Sequence, residues 1–154
     1  IESARAHLWR WSIDQRTGTV TETQLDDRIA DFPRVDDRLV GHQSRYGYLT
    51  EIREEPGIGA AIGSELYKYD LRTGGVATHT TNATTRLREP VFAPAGRDAD
   101  EDEGWVLVYA TDEAEGVTEL HVIEAQYFTA EPVARVVLPQ RVPYGAHGSW
   151  LPAG

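Results

Sequence analysis

Five histidines, His7, His42, His79, His121 and His147, are the residues best suited to metal or acid–base chemistry. His147 lies in the segment Pro143-Tyr144-Gly145-Ala146-His147-Gly148-Ser149-Trp150. Glycine near an imidazole permits backbone angles closed to other residues and allows close approach. A chain segment built this way can aim the ring into a confined site. Neutral imidazole is a metal ligand or a general base. No second histidine in HxxxH spacing supports His147, so the residues alone leave metal-ligating, catalytic and surface roles open. His7, His79 and His121 sit on strand-like segments and read as structural or surface residues.

Two carboxylates have unusual surroundings. Asp31 precedes Phe32-Pro33-Arg34, and Glu89 precedes Pro90-Val91-Phe92. Each stands at a strand start among apolar groups. A buried carboxylate needs a partner, and in metal sites that partner is often an imidazole N–H. The alternative is a strand-edge carboxylate in solvent. Asp36 and Asp37 read as solvent-facing or ion-paired with Arg34 and Arg38.

Other motifs carry less. Gly57-Ile58-Gly59-Ala60-Ala61-Ile62-Gly63 has Ile where a dinucleotide fingerprint needs its third glycine. A strand follows it instead of a helix, so it reads as a flexible inter-strand loop. The acidic run Asp98-Ala99-Asp100-Glu101-Asp102-Glu103 lacks the glycine and terminal Glu of a calcium loop and reads as a solvated loop. Asn82-Ala83-Thr84 has the form of a glycosylation sequon and, with no secretory signal visible, reads as a chance match. There is no cysteine, which excludes disulfides, thiolate metal sites and Cys nucleophiles.

The elements that must position these groups read as strands. His7–Asp14 alternates, with Trp9, Trp11 and Ile13 on one face. Strand patterns recur at Thr19–Leu25, Tyr46–Ile52, Glu65–Asp70, Val76–Thr81, Glu89–Ala93, Trp105–Thr111, Val117–Glu124 and Val133–Leu138. Turn residues separate them at the spacing of all-β folds. The nearest helical candidate is Glu22–Ala30. Leu8-Trp9-Arg10-Trp11 with Arg16-Thr17-Gly18 is echoed by Leu66-Tyr67-Lys68-Tyr69 with Arg72-Thr73-Gly74. Repeated antiparallel hairpins suggest propeller blades, usually of four strands. The alternative is two unrelated hairpins sharing common turn chemistry. The strands make about two blades and part of a third, too few to close a propeller.

The chain has 154 residues, one domain's worth, with 15 Lys and Arg against 25 Asp and Glu, a net charge of −10. That balance argues against nucleic-acid binding, which needs clustered cations. No apolar run approaches a transmembrane helix. A soluble, cytoplasmic protein is expected, with peripheral membrane contact left open. The chain begins at Ile1 and is expected to be a processed product, an engineered piece or a fragment.

Together these stretches resemble the C-terminal third of the carotenoid cleavage oxygenase family, which includes stilbene-cleaving dioxygenases. The resemblance is carried by Leu8–Asp14, Asp31-Phe32-Pro33-Arg34-Val35-Asp36, Arg45-Tyr46-Gly47-Tyr48, Leu66-Tyr67-Lys68-Tyr69-Asp70, Arg88-Glu89-Pro90-Val91-Phe92, Gly104–Asp112 and Val142–Trp150. It implies an all-β fold, part of a seven-bladed propeller, with residues 1–154 forming the C-terminal segment of one domain. It implies Fe(2+) held by four histidines, of which His147 resembles the last. Glu89 resembles an outer carboxylate that orients His147. Asp31 stands at a second such position, where the family usually has the longer Glu, and Ala146 replaces a commonly aromatic residue. The implied reaction is cleavage of a conjugated C=C bond by O2 into two carbonyl products, with an apolar substrate. The other three histidine ligands precede this segment, so an N-terminal part of the same protein is the implied partner. The isolated chain is expected to be inactive. Two alternatives remain: a non-catalytic acidic β-rich binding domain, with His147 in solvent far from Glu89, and a decayed relative.

Overall fold

Alternating apolar residues and closely spaced turns give a chain made almost wholly of antiparallel strands. The computed structural model describes residues 5–56, 59–145 and 147–152. The first hairpin pairs β1 (Trp9–Ile13) with β2 (Val20–Gln24). A second sheet runs as a meander through β3 (Ala30–Arg34), β4 (Tyr46–Glu55), β5 (Gly59–Asp70) and β6 (Gly75–Thr80). The third sheet contains β7 (Thr85–Leu87), β8 (Val91–Pro94), β9 (Gly104–Asp112), β10 (Val117–Glu124) and β11 (Ala134–Val137). Both β7 and β8 lie along the edge of β9 opposite β10. They are one strand interrupted at Arg88–Pro90, so the third sheet is again a four-layer meander.

The interruptions share a cause. In β3, Asp31 faces Thr50 but Arg34 faces Tyr48, leaving Phe32 and Pro33 opposite Leu49 alone. In the third sheet, Arg88 N–H donates to Tyr109 and Val91 faces Leu107, leaving Glu89 and Pro90 opposite Val108. Each is a one-residue bulge at a proline, which cannot donate to the ladder. At the first, Phe32 takes a left-handed backbone angle (φ 56°).

The main core lies between the second and third sheets. Tyr48 and Leu66 pack there with Leu87, Phe92, Val106, Val108, Ile123 and Phe128. Tyr48 stacks on Phe92 at 5.8 Å. Full burial of a side chain such as Leu66, Leu87 or Ile123 contributes about 1.5–3 kcal/mol. Thr50 Oγ1 donates to the Arg88 carbonyl at 2.7 Å and ties the two bulged strands. A smaller cluster of Ala30, Leu49, Tyr67 and Tyr69 covers the other face of the second sheet.

Four expectations need correction. Residues 59–63 of the glycine-rich segment are the start of β5, because Ala60, Ala61 and Ile62 pair with Glu54, Arg53 and Ile52; Gly57 and Ile58 lie outside the described residues. The helical candidate Glu22–Ala30 instead holds the end of β2 and the start of β3. The strand expected from Glu89 begins at Val91, because Pro90 breaks the ladder. The acidic run is not simply solvated. Glu101 accepts the Arg45 and Tyr46 amides at 2.6 and 2.8 Å, and Asp102 binds Lys68 at 2.8 Å. Among the described residues no helix is long and apolar enough to cross a membrane.

Candidate functional site

The bulge at Glu89–Pro90 turns Glu89 out of the ladder and toward the chain segment that follows β11. Its side chain is only 8% exposed. One oxygen, Oε1, lies 3.2 Å from Nδ1 of His147, and the other, Oε2, accepts the Gly148 N–H at 2.5 Å. An ionised carboxylate can only accept here, so the neutral His147 ring carries its proton on Nδ1, leaving the lone pair on Nε2. The His147 side chain is 75% exposed, and Phe32 meets its ring edge-on at 6.1 Å between centroids. An imidazole oriented by a carboxylate, its second nitrogen without a partner among the described residues, has the form of a metal-ligand histidine.

Sequence reasoning thus linked His147 with Glu89, and the structure brings them together. Asp31 is close by in sequence to Phe32 but is exposed, and its Oδ1 accepts the Phe32 amide at 2.7 Å. Among the described residues Asp31 meets no imidazole. Ala146 lies outside the described residues. His79 and His121 are buried, as structural histidines would be. Among the described residues no three His, Cys, Asp or Glu side chains form a metal-holding group. A metal at His147 would draw its further ligands from beyond the described residues.

The expected ion pairs of Arg34 and Arg38 with Asp37 and Asp36 form, but the sequence did not show that Arg34 and Arg88 bond the His147 segment. Arg34 Nη1 donates to the Gly148 carbonyl at 2.8 Å and lies 3.4 Å from Glu89 Oε1, while Nη2 reaches Asp37 at 3.2 Å. Arg38 pairs with the buried Asp36 at 2.5 Å. Arg88 is buried, and its Nη1 and Nη2 donate to the Pro143 and Val142 carbonyls at 2.5 and 2.8 Å. Burial pushes the Arg88 guanidinium below its usual range. The available signal was position: each arginine is within three residues of a candidate carboxylate, yet sequence cannot show that it bonds a segment more than fifty residues away. A cleft of about 430 Å³ opens beside the pair, with Val91, Leu107, Leu120, His147 and Trp150 among its walls.

Comparison with known proteins agrees with this architecture. The family model described as retinal pigment epithelial membrane protein (RPE65) matches residues 2–152. A carotenoid cleavage oxygenase of Mycobacterium tuberculosis is 38% identical over 151 residues, covering 97% of this chain and 30% of that protein. A carotenoid 9,10(9',10')-cleavage dioxygenase 1 of Pisum sativum is 33% identical over 161 residues, covering 98% and 30%. The crystal structure of cobalt-substituted Synechocystis apocarotenoid oxygenase superposes with a TM-score of 0.85 at 30% identity, covering 96% of this chain and 30% of that one. The chain spans about 30% of the length of these relatives. Its antiparallel four-stranded sheets are accordingly part of a β-propeller, and the chain belongs to the carotenoid cleavage oxygenase family.

Proposed function

We propose that residues 1–154 are the C-terminal segment of a single propeller domain in an Fe(2+)-dependent dioxygenase. That enzyme cleaves a conjugated C=C bond of a carotenoid, apocarotenoid or stilbene with O2, giving two carbonyl products. The observation that carries the reading is the His147–Glu89 pair at 3.2 Å. His147 would hold the metal through Nε2, and Glu89 fixes the tautomer and orientation that leave this nitrogen free. When bound, ferrous iron supplies the redox chemistry that lets O2 react with the alkene. Glu89 keeps the His147 proton at Nδ1, and Gly148 N–H holds the second carboxylate oxygen in place. Asp31 would serve a histidine supplied by the N-terminal part, together with two further ligands. The apolar cleft beside His147 suits an apolar substrate.

A non-catalytic binding domain required His147 in solvent and far from Glu89; His147 is 75% exposed, but the 3.2 Å contact with Glu89 does not favour that reading. The decayed-relative reading rests on Asp31 alone. The test is iron content and alkene-cleaving activity of the full-length protein that contains this chain. Stoichiometric iron that is lost in His147→Ala, together with activity, is expected. Iron retained in His147→Ala would overturn the assignment of His147, and iron without activity would favour the decayed relative.

A further inference from the structure

We propose that Arg88 and Arg34 are positioning residues that strap the His147 segment onto the two bulged strands; this rests on the reading of His147 as a metal ligand. From Arg141 to Trp150 the described chain forms no strand. Its backbone groups therefore need partners outside a ladder, and Pro143 has no N–H to offer one. Side chains supply partners to Val142, Pro143 and Gly148. Thr118 Oγ1 accepts the Val142 amide at 3.2 Å. The Arg88 fork spans two successive carbonyls, Val142 and Pro143, and its guanidinium lies 4.3 Å over the Tyr144 ring. Arg88 also reaches Thr111 Oγ1 at 3.4 Å, and among the described residues no carboxylate pairs with it. A buried cation held only by carbonyls, a hydroxyl and an aromatic face is costly to desolvate. The strap satisfies its two terminal nitrogens, while Nε has no partner among the described residues.

The other end is held as tightly. Glu89 accepts the Gly148 N–H and Arg34 donates to the Gly148 carbonyl. The peptide groups following His147 are thus gripped on both sides, from β3 and from the break between β7 and β8. Consecutive residues Arg88 and Glu89 contact the strap at 142–143 and 147–148. An imidazole on a segment anchored at these two points has little freedom to swing away from Glu89. Arginine suits the role because its planar fork bonds two acceptors at once, which the lysine ammonium does not reproduce.

The test uses the full-length protein, metal-free and reloaded with Co(2+). In Arg88→Met, amide exchange at Val142 and Gly148 in the metal-free protein should rise about tenfold or more, with the unfolding midpoint of the protein little changed. The cobalt ligand-field spectrum should shift, and Arg88→Lys should fall between Met and wild type. Arg34→Gln should shift the same spectrum while leaving Val142 exchange unchanged. If Arg88→Met fails to fold, Arg88→Lys and Arg34→Gln decide the matter. Folded variants with wild-type exchange and wild-type cobalt spectra would overturn the proposal. A wild-type protein that binds no metal would overturn the metal reading, whereas faster exchange in metal-free Arg88→Met would still establish the strap.

Discussion

The candidate site depends on one carboxylate with two committed oxygens. Glu89 orients His147 through Oε1 and locks Gly148 through Oε2. Removing it should free the ring without removing the ligand. Glu89→Ala in the full-length protein is expected to weaken iron binding about 10–100-fold, with Glu89→Gln less affected, as read by chelator competition. Equal affinity in all three would mean that Glu89 does not orient the ligand. Asp31 is a different case, since its only described side-chain bond is to the Phe32 amide. If it serves a histidine from the N-terminal part, Asp31→Glu should restore a shorter bond and tighten iron binding, by up to about tenfold. No change in affinity would remove Asp31 from the site.

At the scale of elements, proline bulges turn two edge strands into holders of chemistry. The pairing of β8 with β9 keeps the second bulge in place. A Cβ on Gly104 would lie 2.3 Å from the Ala93 carbonyl oxygen and 2.9 Å from Pro94 Cα, both backbone atoms that cannot step aside cheaply. Gly104→Ala should therefore cost about 1–3 kcal/mol in urea denaturation and weaken iron binding with it. His79, on β6, is tied through Nδ1 to the Phe128 carbonyl, in the connection between β10 and β11, at 3.2 Å. Burial holds its pKa below the usual histidine value, with nearby His121 acting in the same direction. The unfolded chain then takes up this proton at higher pH than the folded one. Stability is complete above the unfolded value of about 6.5 and is lost as pH falls through the folded one. Denaturation midpoints followed from pH 7.5 downward should fall below about pH 6.5, less steeply in His79→Gln.

Over the whole molecule, the striped pattern of the first hairpin is left uncovered. Trp11, Ile13 and Val20 are 61%, 65% and 52% exposed, although the same alternation buries Tyr67 and Tyr69 in β5. The Trp-rich hairpin has two strands where the other sheets have four layers. In the proposed full-length propeller, strands from the N-terminal part would complete that blade. Joining the two parts should shift Trp11 emission to shorter wavelength, measured as the difference from Trp11→Phe. An unshifted spectrum in a folded assembly would place the missing strands elsewhere.

The amino-acid sequence by itself determined the strand class, most strand positions and the hairpin repeat. These are local properties, set by period-two alternation and by turn residues such as Gly18 and Gly74, whose φ angles are 72° and 77°. It also marked His147 and Glu89, through the family resemblance. It hid β3 and β7, because bulge prolines and polar residues interrupt their alternation. It also hid the roles of Arg34 and Arg88. Only the tertiary structure decided those, because an arginine finds carbonyls fifty-four or more residues away only after the sheets have packed. Burial was decided at the same level: an apolar stripe fits Tyr67 and Trp11 equally, and whether it meets a neighbour depends on what the chain folds against.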